Sequence, residues 1–359
     1  MTERIEIAVG GQLLEGWASL SVSRRIDALA GSFRFEFAEI EPGDPIARAI
    51  QRGDVARILL DGQELVTGAI EELERFYDAS SNRVAAGGRS IVADLIDSSA
   101  IHEPGEWTGA KVATIVGQLL EPYPLIRFRS DLSDPAGGSI SKFALQTGES
   151  VFSAIDRLAR FRGLLPRDDG GNGVYFDRPG SSRSPVSITR GANILSASVR
   201  ESESGRFSRY IAHGQAIGAA AWDTAGPGQT LRAEAFDPGI RRARTLVVLS
   251  ESALGQSDLE TRVAFEASGR SARAYRVTYG LQGWTLGGHV WQPGELVPVF
   301  DEVLGIGNAN GSPVDMLLSG VQFQASSAGG RVAQVELVRP GAFTPEPVPE
   351  PPETGPELW

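Results

Sequence analysis

Three histidines, His102, His213 and His289, are the side chains of this sequence best suited to hold a metal ion or to exchange a proton near neutral pH. A zinc site needs ligands at short and regular spacings along the chain. The three histidines lie far apart, and none has a companion at such a spacing. We therefore predict no zinc site and interpret the histidines as surface or packing residues.

Two glycine-rich segments could be mistaken for ligand-binding loops. Residues 305–311 lack the spacing of a dinucleotide-binding loop, and a strand pattern follows them where a helix would be required. Residues 168–173 lack the alternating ligands and the terminal glutamate of a calcium loop. We predict a loop between strands for the first segment and a hairpin turn for the second. No metal and no cofactor is expected.

The carboxylates offer no acid–base pair. Glu71 and Glu72 are neighbours on a predicted strand, where adjacent side chains point to opposite faces, and Asp156 is isolated from both. A Gly-x-Ser-x-Gly elbow does not occur. The chain also contains no cysteine, which excludes thiol nucleophiles, thiolate metal sites and disulfides. We predict no catalytic residues and conclude that the chain is not an enzyme.

Composition places the chain among soluble globular proteins. Its 359 residues are 41% apolar and 22% charged, which suggests two to four domains. No apolar run approaches the roughly 20 residues of a membrane span, and the N-terminus lacks the apolar stretch of a signal peptide. We expect assembly in a cytoplasm without membrane insertion. The net charge of -11 argues against nucleic-acid binding, because affinity for the phosphate backbone comes largely from Lys and Arg.

The first 90 residues carry the two-residue period of half-buried strands. Apolar side chains alternate with polar ones at Ile5, Ile7 and Val9, at Leu20 and Val22, and at Phe33, Phe35 and Phe37. Gly10 and Gly11 predict a hairpin turn. Further short strands are predicted at residues 55–60, 65–73 and 83–87. Several short strands at this spacing favour a barrel or a sandwich.

The pattern changes near Ile91 to that of an α/β segment. Thr108 is a plausible N-cap of a helix whose apolar face carries residues 112, 115, 116 and 119 and which stops near Pro122. A second helix is predicted at residues 151–162, with Gly163 as its stop. A hairpin follows, from residues 164–165 to residues 174–176.

After about Asn193 the strand pattern returns. One helix interrupts it, beginning with a capping box of Ser257 and Glu260 and ending at Gly269. The last predicted strands are residues 296–300, 316–324 and 332–338. Residues 344–359 are rich in Pro and Glu and are expected to be extended or disordered.

A faint internal echo links the two β regions. Gly53-Asp54-Val55 leads to residues 65–69, and Gly294-Glu295-Leu296 leads to residues 317–321 with a similar sequence. We treat a duplicated β unit as a hypothesis.

Several motifs occur in an order that resembles one protein family. They comprise Trp17, then Gly88 and Arg89 followed by Asp94, Leu95 and Asp97, then Gln146 and Glu149, then Gly163, and finally Trp291, Pro293 and Gly294. This series resembles the baseplate hub proteins of Mu-like contractile phage tails, and its middle part is also similar to the hub half of type VI secretion spikes. The resemblance extends to about Phe343.

The resemblance implies a mainly β fold with an α+β insert. Residues 1–92 would form a first tube-like β-barrel domain, residues 93–192 an inserted α/β domain, and residues 193–343 a second β-barrel domain with one helix, followed by the tail of residues 344–359. Three chains would assemble as a ring-shaped homotrimer with six similar units around a channel.

The resemblance also implies a function. The trimer would be an adaptor in the virion baseplate that joins the hexameric tail tube protein to the trimeric central spike protein, next to baseplate wedge proteins. DNA would meet it only in transit. Two alternatives stay open: the hub of a related injection device, such as a secretion-system spike or a tailocin, and a peptidoglycan-binding or lytic protein, because residues 146–163 have a strand–helix pattern found in small wall binders.

Overall fold

A computed structural model describes residues 3–38, 50–79, 81–130, 139–215, 230–249, 256–308, 310–327 and 329–345. Strands dominate these residues, so the predicted mainly β class with a few helices is confirmed. The prediction of an extended tail falls, except for residues 344 and 345, outside the described residues.

The described residues of the N-terminal region form seven strands and no helix before residue 91. The strands are β1 (Ile5–Val9), β2 (Gln12–Leu14), β3 (Trp17–Arg25), β4 (Ser32–Ala38), β5 (Val55–Leu60), β6 (Gln63–Tyr77) and β7 (Asn82–Ser90).

The middle region mixes helices and strands. It opens with a 3-10 turn (Ile91–Ala93) and contains α1 (Asp94–Asp97), β8 (Glu106–Lys111), α2 (Val112–Leu120), β9 (Arg127–Ser130), β10 (Ser139–Ala144), α3 (Val151–Arg160), β11 (Leu165–Asp168), β12 (Gly173–Asp177) and β13 (Ile188–Thr189).

The C-terminal region returns to strands around one long helix. Its elements are β14 (Ile194–Glu201), β15 (Arg209–Gln215), β16 (Thr230–Phe236), β17 (Thr245–Leu249), α4 (Gln256–Arg273), β18 (Tyr275–Gln282), β19 (Thr285–Leu286), β20 (His289–Val290), β21 (Leu296–Phe300), β22 (Val314–Ser326) and β23 (Gly330–Val338).

The N-terminal and C-terminal strands share one 13-stranded sheet. Its order is β14-β18-β23-β22-β3-β4-β7-β6-β5-β1-β2, and β21 joins β22 and β13 beside this path. The two regions meet where β22 pairs antiparallel with β3, from Gly320 opposite Arg25 to Ser326 opposite Ser19. Both regions also contribute to one apolar core. Within the described residues the two β regions therefore share one sheet and one core.

The alternating residues of the first strands face this core. Phe33, Phe35 and Phe37 of β4 are all buried, and the rings of Phe33 and Phe35 stack with centroids 6.2 Å apart. Gly10 and Gly11 connect β1 and β2 with φ of 56° and 85°, which a two-residue hairpin turn requires. The strand and hairpin predictions for this region are confirmed.

The first helix of the middle region begins later than predicted. Thr108 lies in β8 opposite Lys142 of β10, so it is not a helix cap, and α2 starts at Val112. The apolar face of α2 is buried as predicted, because Val112, Ile115, Val116 and Leu119 belong to a separate core of this region. Pairing with β10 outweighs the local capping preference of Thr108.

The second helix agrees closely with the prediction. In α3 the Ser150 side chain accepts a hydrogen bond from the Ser153 N–H at 3.1 Å, which caps the first turn. Gly163 follows the last turn with φ of 60°, a conformation that favours glycine. The predicted hairpin after it is formed by β11 and β12.

A small unit was not predicted from the sequence. Strands β16, β15 and β17 form their own sheet, and α4 covers it with a core that includes Tyr210, Leu259 and Val263. The predicted helix limits were wrong at both ends. Ser257 lies inside α4, which begins at Gln256 in the described chain, and the helix continues past Gly269 to Arg273. One glycine costs a helix only about 1 kcal/mol, which the packing of α4 offsets.

Candidate functional site

The three histidines considered as metal ligands lie at separate places in the described structure. The His102 ring lies 4.8 Å from Trp107, His289 contacts Glu295 at 3.0 Å, and His213 lies in β15. Over the described ranges, no group of three His, Cys, Asp or Glu residues could hold a metal ion. No helix among these ranges is long and apolar enough to cross a membrane.

The two glycine-rich segments connect strands, as predicted. Residues 168–173 join β11 to β12, and Asp169 accepts hydrogen bonds from the N–H groups of Gly171 and Gly173, both at 2.9 Å. Residues 305–311 lie between β21 and β22, with residue 309 outside the described chain.

The acidic residues considered for catalysis form ion pairs. Asp156 contacts Arg160 at 2.6 Å and Glu71 contacts Arg89 at 2.7 Å. Glu71 and Glu72 are both exposed at a β-bulge, which interrupts the alternation of faces that the sequence analysis assumed for them.

A repeated five-strand unit is the most informative feature of the sheet. The N-terminal region has the strand order β3-β4-β7-β6-β5, and the C-terminal region has β14-β18-β23-β22-β21. Taken in chain order, the strands of the two units correspond one to one, and every pairing within them is antiparallel. The small sheet and α4 are inserted between the first and second strands of the second unit.

The glycine turns of the two units match in detail. Gly53 and Gly294 have φ of 90° and 95°. The Gly53 N–H donates to the Ile70 carbonyl at 2.8 Å, and the Gly294 N–H donates to the Leu318 carbonyl at 2.7 Å. In turn, the Ile70 N–H donates to the Asp54 carbonyl and the Leu318 N–H donates to the Glu295 carbonyl, both at 2.9 Å. The first half of the sequence echo is thus confirmed.

The second half of the echo is wrong by four residues. In the structure the counterpart of Leu318 is Ile70, whereas the sequence match paired Leu318 with Val66. Bulges support the structural alignment, because β6 and β22 each carry one immediately after Ile70 and Leu318. Similar aliphatic and glycine residues at the two sites misled the sequence comparison.

Arg89 connects the first β region to the α/β region. Its guanidinium donates to Glu71 at 2.7 Å and to Asp97 of α1 at 2.6 Å. Hydrogen bonds from Arg89 lower the pKa of Asp97. Burial raises the pKa of Asp94, and the nearby charges of Asp97 and Glu71 add to this effect.

Two other motif residues support the Arg89 junction by packing. A Cβ atom on Gly88 would lie 1.9 Å from the Ala69 carbonyl oxygen, so this position requires glycine. Leu95 of α1 is fully buried in the core of the middle region. The motif from Gly88 to Asp97 therefore fixes a boundary between two regions.

A second junction joins all three regions around Arg24. This side chain is buried and donates to Gln292 at 2.9 Å and, more weakly, to the Asp168 carbonyl at 3.4 Å. Burial lowers the pKa of Arg24 and raises that of Asp168, and the attraction between their charges opposes both shifts. Arg167 lies beside this pair and donates to the Pro293 carbonyl and to Asp177.

The remaining motif residues are also structural. Trp291 is buried in the main core, and Trp17 packs against that core. Glu149 accepts a hydrogen bond from the Gln146 N–H at 2.6 Å and contacts Arg157 of α3 at 2.8 Å. Together with Gly163 and Gly294, which occupy turns, the motif residues form connections between elements and do not converge on one site.

Besides the short β2 at one end of the sheet, two strand edges lie open among the described residues. β22 is paired on both sides along residues 320–326, by β23 and by β3. Its counterpart β6 is paired only by β7 along residues 72–77. β14, the counterpart of β3, ends the sheet. Both edges expose apolar side chains, including Tyr77, which is 82% exposed, and Leu195, which is 59% exposed.

An arginine pocket lies beside the β14 edge. It has a volume of about 410 Å³ and is lined by Arg200, Arg270, Arg273 and Arg276, together with serine and small residues. Burial lowers the pKa of Arg273, and the charges of Arg270 and Arg276 contribute. Arg200 is exposed and has no ion pair among the described residues. The pocket is therefore suited to receive carboxylates.

The open edges, the arginine pocket and the burial of Arg24 were not predicted from the sequence. One signal could have revealed the first of these. β3 and β14 share the pattern Ser-x-Ser-Val, at residues 19–22 and 196–199, which marks them as counterparts. The two-residue period of β3 places Arg24 on the same face as the buried Leu20 and Val22, but arginine is usually exposed, so this signal was overlooked.

Three family models of Mu-like baseplate proteins match separate parts of the chain. Residues 4–90 match the N-terminal model of Mu phage baseplate assembly protein GpP-like, residues 92–177 match the second domain of baseplate hub protein gp44-like, and residues 256–346 match the fourth domain of Mu phage baseplate assembly protein GpP. Baseplate hub protein gp44 of Escherichia phage Mu is 29% identical over 304 residues, which cover 83% of this chain and 79% of gp44.

Solved structures agree with these matches. The 43 kDa tail protein of prophage MuSo2 from Shewanella oneidensis has a TM-score of 0.79 and 25% identity, covering 95% of this chain and 99% of that protein. A tail protein of Neisseria meningitidis MC58 has a TM-score of 0.77 and 21% identity, covering 97% of this chain and 100% of that protein. A type VI secretion component of E. coli shares the fold, with a TM-score of 0.53 and 11% identity over 96% of this chain and 80% of that protein. Over residues 4–90, 92–177 and 256–346 the chain is therefore similar to Mu-like phage baseplate hub proteins, and these relatives are structural proteins of the phage tail and not enzymes.

Proposed function

We propose that three copies of this chain form a ring that joins the hexameric tail tube to the trimeric central spike and encloses part of the DNA-ejection channel. The observation that carries the proposal is the repeated five-strand unit, with its matched glycine turns and bulges. Three chains with two such units each present six similar units, which fit a six-fold partner on one side and a three-fold partner on the other.

The two open edges support a closed ring. Inside one chain, the second unit contacts the first through β22 and β3. The corresponding contact from the first unit would join β6 to β14, and β14 lies at the far end of the same sheet. A second copy can supply that strand. Contacts of this head-to-tail kind either propagate without limit or close as a ring, and closure pairs the β6 and β14 edges of every copy.

We propose that the polar face of the sheet lines the channel. Opposite the core, β3 carries Ser19, Ser21 and Ser23, and β22 carries Gln322 and Gln324. Neighbouring strands add paired charges, such as Arg34 with Glu74 at 2.9 Å. A wall of hydroxyl and amide groups with balanced charges offers few free cations to hold DNA phosphates.

The division of the chain is part of this proposal. Residues 1–92 and 193–343 would be the two tube-like β-barrel domains, and residues 93–192 the inserted domain. Family models that end at residue 90 and begin at residue 92 support the first boundary. Wedge proteins would contact the outer surface, and assembly would take place in the host cytoplasm. The likeness to a secretion component also keeps the hub of a related injection device as a second candidate.

The test is the mass and shape of the purified chain. Light scattering should give three times the mass of the 38.2 kDa chain, and negative-stain images should show rings with a central hole. A stable monomer at micromolar concentration would contradict the proposal. A peptidoglycan pull-down and a turbidity assay should be negative, and binding or lysis would instead favour a wall-directed function.

A further inference from the structure

We infer that residues 72–77 of β6 pair antiparallel with β14 of a neighbouring copy, with Glu74 opposite Arg200 and the acidic end of β6 at the arginine pocket. This inference rests on the proposed ring and specifies the contact between its subunits. The partner is a second copy of this chain.

The bulges define the alignment of the two units. In β6 and β22 they follow Ile70 and Leu318, so Glu72 is the counterpart of Gly320, and Glu74 is the counterpart of Gln322. The neighbouring strands agree with this alignment. β7 pairs antiparallel with β6 from Glu72 onward, and β23 pairs antiparallel with β22 from Gly320 onward, in both cases without a further shift in register.

A second pair of bulges aligns β3 with β14. They lie between Trp17 and Ser19 in β3, and between Ile194 and Ser196 in β14. Ser19 is therefore the counterpart of Ser196, and Ser23 is the counterpart of Arg200. The shared Ser-x-Ser-Val pattern falls in the same register.

The contact inside the chain then predicts the contact between chains. Gln322 lies opposite Ser23 in the β22–β3 pairing. Glu74 is the counterpart of Gln322, and Arg200 is the counterpart of Ser23. The equivalent contact between chains therefore places Glu74 opposite Arg200 of the neighbouring copy. The same register places Glu72 opposite Ser202, which lines the arginine pocket.

Charge supports this register. The predicted contact brings Glu74 to Arg200 and Glu72 to the rim of the arginine pocket, whereas the position inside the chain that corresponds to Glu74–Arg200 is occupied by the neutral residues Gln322 and Ser23. Opposite charges on facing strands stabilise a pair, and like charges disfavour it. A charge pair at a position that is neutral inside the chain favours the correct partner and register.

The apolar side chains fit the same register. Tyr77 is exposed, and its counterpart Ala325 is buried at the contact inside the chain. Pairing with a neighbour places Tyr77 opposite Ala197 and Arg75 opposite Val199, on the face that carries the main core. A slip of one residue would turn every side chain to the wrong face.

Charge reversal tests the contact. Glu74→Arg and Arg200→Glu should each raise the concentration for half-assembly of the trimer about tenfold, because each ring contains three such pairs. The double variant should recover most of the loss. The measurement is sedimentation velocity over a concentration series, with thermal unfolding to check that the variants fold.

Cysteine cross-linking provides a second readout, because the natural chain has no thiols. The variant carrying Phe76→Cys and Ser198→Cys should form covalent trimers on mild oxidation, since the two positions face each other in the predicted register. The control carrying Tyr77→Cys and Ser198→Cys places the thiols on opposite faces and should not cross-link.

The outcomes separate this inference from the proposed function. A wild-type trimer without recovery in the double variant, and without cross-linking at residues 76 and 198, would overturn the strand pairing and leave the ring intact. A wild-type monomer would overturn both. Recovery together with specific cross-linking would support the pairing.

Discussion

Replacing Arg24 with methionine should destabilise the chain more than any exposed arginine substitution. The variant loses the 2.9 Å hydrogen bond to Gln292 and leaves Asp168 buried without its nearest cation. Removal of one partner from a buried ion pair typically costs about 3–5 kcal/mol. Methionine keeps most of the side-chain volume and avoids the burial of a charge, so we expect the low end, about 3 kcal/mol.

Urea unfolding followed by tryptophan fluorescence measures this change, since the chain has six tryptophans. Arg25→Met is the matched control, because Arg25 is the next residue and forms partly exposed ion pairs with Asp27 and Glu336. Such pairs contribute at most about 1 kcal/mol. Arg24→Met combined with Asp168→Asn should recover at least half of the loss.

The effect of Arg24→Met should also depend on pH. Burial raises the pKa of Asp168 above its ordinary value of 3.8 even beside Arg24, and removal of Arg24 should raise it further. A carboxyl group with a raised pKa in the folded state stabilises the fold only while it is protonated, so this contribution is lost as the pH rises. The loss of unfolding free energy caused by Arg24→Met should be smallest near pH 4 and should increase toward neutral pH. An equal deficit at both pH values, or an equal deficit in Arg25→Met, would refute this reasoning.

Four further substitutions test other parts of the structure. Gly88→Ala should cost about 1–3 kcal/mol in chemical unfolding, because its Cβ would lie 1.9 Å from the Ala69 carbonyl oxygen. Gly117→Ala, in α2 with no atom within 4 Å of the added Cβ, should instead stabilise the chain by about 0.5–1 kcal/mol. Phe35→Ala should cost about 3–5 kcal/mol, since this ring is fully buried, and a loss below 1 kcal/mol would contradict its place in the core. Asp237→Asn should cost about 2 kcal/mol near neutral pH through its bonds to Arg206 at 2.8 and 2.9 Å. Burial alone would raise the pKa of Asp237, but hydrogen bonds from Arg206 and Gly239 lower it overall, so the difference from wild type should persist above pH 4 and vanish as the pH falls through the lowered value. A difference that grows on acidification would be inconsistent with that ion pair.

Local patterns predicted the individual elements well. The alternation of Phe33, Phe35 and Phe37 and the apolar face of α2 both depend on neighbours within a few residues, which the sequence displays directly. Helix ends were less accurate, since Thr108 is held in a strand by β10 and Gly269 is carried inside α4 by packing.

Long-range pairing could not be predicted in the same way. β22 and β3 are about 300 residues apart, and only the fold brings Phe323 opposite Val22. Strands β15 to β17 have the same alternation as strands of the large sheet, so no local signal separates them from it. The open edges were missed for the same reason, because they are defined by an absent neighbour and not by a residue type.

Cryo-electron microscopy of the purified chain can show whether three copies form the proposed ring. A map with threefold symmetry should show a ring whose inner wall contains six similar five-strand units. In this map β6 of each copy should lie beside β14 of the next copy and pair with it. A particle without this closed wall, or one in which the two units of each chain lie apart from the channel, would contradict the account.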